Sequence, residues 1–424
     1  MNPQEPSNNQ ADRYIPQRED MDIDMSNHVL TQSSPSYSTP PLYKKLEQSL
    51  YQESKKVLSF KQKAPIPEEK RNENKILFSC SSKWKGHKRA SYQRHIASKP
   101  ELTLEAPFLE DDFYLNVMDW NCHNVLAIAL RNEIFLWNGN DGSIDKISAF
   151  SNDTSSITSI RWTADGSNLA AGNDQNTIQL WDASQRSLLR TMRGHLGRVS
   201  SLSWNKYILS SGSKDASILN HDVRARSHVV SSFEHHTSEV CGLQWCPRGR
   251  CLASGGNDNI VALWDLRGIQ QRNIGPRYSF TSHQAAVKAL SWAPFQQDLL
   301  ATGGGTGDRC IRFWNTQTGV ELNSIDTGSQ ICALQWAKNE SREIISSHGY
   351  AKNQLMVWKY PCLKQVANDL VGHTQRVLHM SLSPDGTTVA TAAGDEKLCF
   401  WKVFEKKKVL AQHKTRRSAS ASNN

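Results

Sequence analysis

The chain has 424 residues, 38% of them hydrophobic, enough for a sizeable core and, at roughly 150 residues each, for two or three ordinary domains. Its net charge of +9 is unevenly placed: residues 1–100 hold 17 Lys and Arg against 11 Asp and Glu, residues 101–400 hold 26 against 29, and residues 401–424 hold 7 against 1. No run of 18 apolar residues is present, which excludes a spanning helix, and no signal peptide or membrane partner is expected. The nine Cys are scattered without a Cys-x-x-Cys pair, so the expectation is free thiols in a reducing compartment, with no disulfide framework, metal site or cofactor.

Residues 1–102 are rich in Ser, Asn, Gln, Lys and Pro and are expected to form a largely disordered arm. Inside it, Asp12-Arg13-Tyr14-Ile15-Pro16-Gln17-Arg18 packs two guanidinium forks, an aromatic ring and a branched apolar side chain into seven residues. Arg and Tyr are common interface anchors, so a docking motif and a chance cluster in a polar tail both fit. Ser34-Pro35 and Thr39-Pro40 are minimal sites for proline-directed kinases. Phosphorylation there would add about −1.5 to −2 charge per site.

From residue 103 to 404 a repeat takes over. One Trp series stands at Trp120, Trp162, Trp204, Trp245, Trp292 and Trp336, in steps of 42, 42, 41, 47 and 44; a further step of 45 reaches Ser381. A second series stands at Trp137, Trp181, Trp264, Trp314, Trp358 and Trp401, with His221 filling its gap. A period in the low forties closed by Trp is the signature of propeller blades. Blade two illustrates four short strands: Ile157–Trp162, Ser167–Ala171, Thr177–Trp181 and Leu188–Met192, separated by turn residues such as Asp165-Gly166. Trp181-Asp182 and Trp264-Asp265 recur as pairs, Gly194-His195 and Gly372-His373 open units, and Asp215, Asp258, Asp308 and Asp395 each lie six residues before a closing Trp or His. These are marks of WD repeats, in which His, Asp and Trp form a buried hydrogen-bond network.

The fold class is therefore all-β, a seven-bladed propeller, with the segment before Val117 supplying the strand that closes the last blade. Residues 405–424 form a basic tail. It reads as a solvated arm or nuclear-import signal rather than a nucleic-acid site, and no nucleic-acid partner is expected.

No catalytic set emerges. Gly303-Gly304-Gly305-Thr306-Gly307 lacks the Gly-Lys-Ser/Thr ending of a phosphate loop. His235-His236 near Cys241 and Cys246 matches no common zinc spacing. A rigid disc with loops on two faces points to binding before chemistry.

The heptad at 12–18, the lead-in Glu105-Ala-Pro-Phe-Leu-Glu-Asp-Asp-Phe-Tyr-Leu-Asn116, Cys241-Gly-Leu, Ser254-Gly-Gly-Asn-Asp-Asn259, Ala286-Val-Lys-Ala289 and Ala301-Thr-Gly-Gly-Gly-Thr306 together resemble the Fizzy and Fizzy-related family, activator and substrate-receptor subunits of the anaphase-promoting complex. The resemblance spans roughly three quarters of the chain. It implies a non-enzymatic role: recruiting degron-bearing proteins such as cyclins and securin to the ligase core, in nucleus and cytoplasm, with checkpoint or pseudosubstrate inhibitors as further partners. It also implies that Asp12, Arg13, Tyr14, Ile15, Pro16 and Arg18 form the C-box. Asp112 and Glu396 would be the D-box acids at the seam of the first and last blades, with Leu115 and Val117 beside a leucine slot. Asp119, Asn257, Asn259, Thr306, Gln330 and Arg376 would be the KEN-box set, sharing no residue with the D-box site.

The resemblance departs at Ala421-Ser422-Asn423-Asn424, where the family usually has an Ile-Arg docking tail. It leaves Lys56-Val57-Leu58 and Lys75-Ile76-Leu77 as alternative second docking elements. The competing expectations are a general WD-repeat scaffold and an RNA- or chromatin-associated propeller.

Overall fold

Alternating apolar and polar residues interrupted by turn residues every five to seven positions favour short antiparallel strands, and the chain forms seven antiparallel sheets from them. The structure, a computed structural model, describes residues 96–150, 155–265, 275–350 and 352–405. The 12–18 heptad, both Lys-x-Leu elements, Ser34, Thr39 and most of the basic tail lie outside these residues.

Blade two runs Ile157–Trp162, Asn168–Asn173, Thr177–Asp182 and Ser187–Arg193. The inner three strands are largely buried, whereas the outer one exposes Leu188 and Leu189. This gradient explains the small residues of the second strands. A Cβ on Gly172 would stand 2.8 Å from Cβ of Val199, and one on Gly303 would stand 2.4 Å from Cγ2 of Ile331. Both contacts are with the first strand of the next blade, so a missing side chain sets the spacing between blades. The Gly303–Gly307 run is thus a packing feature with a turn.

The ring closes as expected. Leu102–Glu105 pairs antiparallel with Lys397–Lys402, Leu102 opposite Phe400, and completes the blade built from Val377–Leu382 and Thr388–Ala393. The terminal edge strand is thereby paired.

The two Trp series do different work. In the first, Trp204, Trp292 and Trp336 donate their indole N–H to backbone carbonyls of the preceding blade, at Arg161 (3.2 Å), Gln244 (3.0 Å) and Ser291 (3.0 Å). In the second, Trp264, Trp314 and Trp401 donate within the blade to Ser254, Thr302 and Thr391, at 2.8–2.9 Å. The same hydroxyls meet Nε2 of His236, His283 and His373, whose Nδ1 atoms face Asp258, Asp308 and Asp395. Blade three keeps the chain with His221 in place of Trp: Asp215, His195, Ser211 and His221 follow one another. Blade six reaches Trp358 through Ser346, whose hydroxyl also meets Nε2 of His348 on the same strand.

Candidate functional site

Six inner strands begin with a β-branched residue: Ile157, Val199, Val240, Val287, Ile331 and Val377. The residue just before each is Ser156, Arg198, Glu239, Ala286, Gln330 or Arg376. Each of these offers its backbone carbonyl to an N–H in the turn after the second strand: Asp174, Lys214, Asn257, Gly305, Gly349 and Gly394. The repeated bond stitches six of the seven blades at equivalent positions, so these six residues stand at one rim, the mouth of the axial channel.

The lead-in segment crosses this mouth. Asp111 accepts from Arg376 of blade seven, and Asp112 accepts from Arg198 Nη1 of blade three at 2.8 Å. The Tyr114 hydroxyl donates to Asn257 Oδ1 of blade four at 2.8 Å. Asn116 donates to the carbonyls of Ser200 and Cys241, each at 2.8 Å. Between these residues lies a cavity of about 800 Å³. It gathers five of the six residues expected for the KEN set, namely Asn257, Asn259, Thr306, Gln330 and Arg376, together with Asp112.

The local reasons are specific. Asn257 and Asn259 flank Asp258, which is held by His236, and Asn259 adopts φ 66°, a left-handed conformation that Asn tolerates. A Cβ on Gly349 would come within 2.4 Å of Gln330 Oε1 and 3.3 Å of Arg376 Cδ. Its absence lets both side chains lie on the backbone there. Gln330 Oε1 is buried without a hydrogen-bond partner among the described residues, an acceptor available to a ligand. Arg376 Nε and Nη2 bond Asp111 Oδ1 (2.9 Å) and its carbonyl (2.8 Å), and the Tyr350 ring lies 4.9 Å from the guanidinium carbon. Burial opposes the charge of Arg376, but Asp111 outweighs it and the guanidinium is held more firmly protonated than usual.

Phe113 floors the cavity, packed with Cys332 and Leu378. Beneath its ring, 5.7 Å from the centroid, lies Lys288 Nζ, which donates to the Leu378 carbonyl at 2.9 Å. Burial lowers that amine to about 8. Burial also raises the Tyr114 phenol, helped by Cys241, Glu239 and Asp112, so it stays a neutral donor.

The remaining expected residues, Asp119, Asp112 and Glu396, have these surroundings. Asp119 lines a separate cavity of about 260 Å³ along the inner strands, with Arg161 and Lys338, and accepts from Trp162 N at 2.9 Å. It sits mid-strand in Met118–Trp120, whereas the other five lie in turns or just before an inner strand. Asp112 follows Asp111, which bonds Arg376 of blade seven. Its oxygens serve Tyr114 N and Arg198, which in turn clasps Glu239 at 2.7 and 3.0 Å. Glu396 instead ties the lead-in to blade seven, accepting from Phe108 N (3.1 Å) through its side chain and from Ala106 N (2.7 Å) through its carbonyl. Leu115 and Val117 are core residues at 2% and 3% exposure and line no surface slot. Asp112 also lines the cavity that gathers five of the residues expected for the KEN set.

Asp111, Tyr114, Arg198, Glu239 and Tyr350 were not singled out from the sequence. A signal existed for two of them: Arg198 and Glu239 occupy the same repeat position as Gln330 and Arg376.

The fold and site define a class first: a WD-repeat propeller with a polar cavity at the mouth of its channel. Residues 104–401 match the CDC20/Fizzy WD40 domain, and the chain belongs to that family. It is 45% identical over 416 residues to "Cell division cycle 20.1, cofactor of APC complex" of Arabidopsis thaliana, covering 95% of this chain and 89% of that one. It is 49% identical over 360 residues to "Anaphase-promoting complex subunit cdc20" of Dictyostelium discoideum, covering 84% and 71%. A chain of a solved structure, "Crystal Structure of Mitotic Checkpoint Complex", superposes with a TM-score of 0.70 at 44% identity, covering 73% of this chain and 95% of that one.

Proposed function

We propose that this protein is a non-catalytic activator and substrate-recruiting subunit of the anaphase-promoting complex, and that the mouth cavity receives a Lys-Glu-Asn degron. Family membership supports the first part, since one relative is named as a cofactor and another as a subunit of that complex. The observation that carries the second is the convergence of Asn257, Asn259, Thr306, Gln330 and Arg376, from four blades, on one cavity.

Their chemistry complements the peptide. Arg376 offers a guanidinium to the Glu carboxylate. The amides and the Thr306 hydroxyl can both donate and accept towards the Asn side chain. The ammonium of the Lys meets the mouth carboxylate Asp112, since Asp119 lines the separate cavity. Glu396 and Asp112 keep unused lone pairs for the Arg of a D-box, because each carboxylate can accept about four hydrogen bonds.

The heptad at 12–18 supplies the contact with the ligase core. Cyclin- and securin-like degron proteins and checkpoint inhibitors are the partners this reading names, in nucleus and cytoplasm. Fluorescence anisotropy with a labelled KEN peptide tests the site: Arg376→Glu should weaken binding at least about 30-fold, as for loss of a desolvated charge partner. Unchanged affinity would remove Arg376 from it.

A further inference from the structure

The mouth is already partly occupied by the protein's own chain. Asp111 places a carboxylate on Arg376, the same contact a ligand carboxylate would make, and Tyr114 places a hydroxyl on Asn257. The Asp111 pair is asymmetric: the Arg376 side chain is 13% exposed, whereas that of Asp111 is 43% exposed. The cation is fixed from below by Gly349 and the Tyr350 ring, while the anion stands on the solvent side. Arg376 is also held twice by the same residue, through the Asp111 carboxylate and through its carbonyl. If the carboxylate swings away, the Nη2 bond to the carbonyl remains and the guanidinium keeps its place.

We infer that Asp111 is an internal competitor, a built-in carboxylate that an acidic peptide must displace from Arg376 on binding. This rests on the proposed reading of the cavity and adds to it a residue that sets affinity and selectivity. Asp111 neutralises Arg376 in the free protein, so a neutral peptide gains little by approaching it. A carboxylate-bearing peptide exchanges one ion pair for another and gains its remaining contacts. The displaced Asp111 side chain then faces solvent. The expected consequence is a binding step that discriminates for a carboxylate while holding affinity down.

The test uses the full chain, its Asp111→Asn and Arg376→Gln variants, and two peptides, one containing Lys-Glu-Asn and one containing Lys-Gln-Asn. Asp111→Asn keeps shape and the backbone carbonyl but removes the competing charge. A partly exposed ion pair is worth about 0.2–1 kcal/mol, which at 1.4 kcal/mol per tenfold means the Glu peptide should bind about 1.4- to 5-fold tighter to Asp111→Asn. The Gln peptide should bind it unchanged.

Weaker binding of the Glu peptide would show that Asp111 only positions Arg376 and would overturn the inference, as would equal changes for both peptides or none for either. Arg376→Gln separates the two levels. If it binds the Glu peptide as the parent does, the cavity reading itself fails and the competitor falls with it. If it loses the Glu preference while Asp111→Asn gains nothing, only the competitor fails.

Discussion

His373 and His348 sit in equivalent networks and respond to pH in opposite directions. Burial works against a charge on His373, but the bond to Asp395 outweighs it and raises the ring to about 9 from 6.5. Its contribution to stability is present below pH 6.5 and is lost as pH rises through about 9. His348 Nδ1 has no hydrogen-bond partner among the described residues, and burial lowers the ring to about 4, as it lowers His221 to about 3. Their contributions are present above pH 6.5 and are lost as pH falls towards those values.

Thermal melts should therefore show a stability maximum near pH 6.5. Asp395→Asn should flatten the alkaline limb, a loss of about 1–3 kcal/mol at neutral pH by linkage. An unchanged alkaline limb in that variant would refute the assignment. Several of these roles were legible in the sequence: Asp215, Asp258, Asp308 and Asp395 recur at one offset. His348 was not, because it enters its network from the second strand rather than from the blade opening, a position the repeat does not mark.

At the scale of elements, packing between blades rests on what the second strands lack. Gly303 faces Ile331 of the next blade at a distance no Cβ tolerates. Gly303→Ala should cost about 1–3 kcal/mol by overpacking, read as a fall in the chemical-denaturation midpoint. Gly142, which has nothing near its Cβ position, is at φ 76° and would be penalised only through its backbone. If Gly303→Ala is neutral, the spacing of the blades is set elsewhere.

The strand boundaries of blade two and the closing strand were readable because alternation and turn residues are local properties. The lead-in's path across the mouth was not. It depends on Asp111, Asp112 and Tyr114 finding partners in blades seven, three and four, hundreds of residues apart for Asp111. For the same reason the bond from Arg198 to Asp112 was not legible, since 86 residues separate the two. Asp119 lies mid-strand and lines the cavity along the inner strands, a depth that its place in the repeat does not state.

For the whole molecule, the near-neutral propeller and the basic arm divide the work of the proposed function. In that proposal the propeller mouth recognises and the 12–18 heptad docks. A short motif concentrates its affinity in a few anchors, so the two activities are separable by single substitutions. The most direct measurement is ubiquitin transfer to a substrate bearing a Lys-Glu-Asn degron by purified anaphase-promoting complex, with the intact chain or Arg13→Ala added, alongside peptide binding by each. The account predicts stimulation by the intact chain, its loss with Arg13→Ala, and equal peptide affinity for both. No stimulation by the intact chain, or full stimulation by Arg13→Ala, would contradict it.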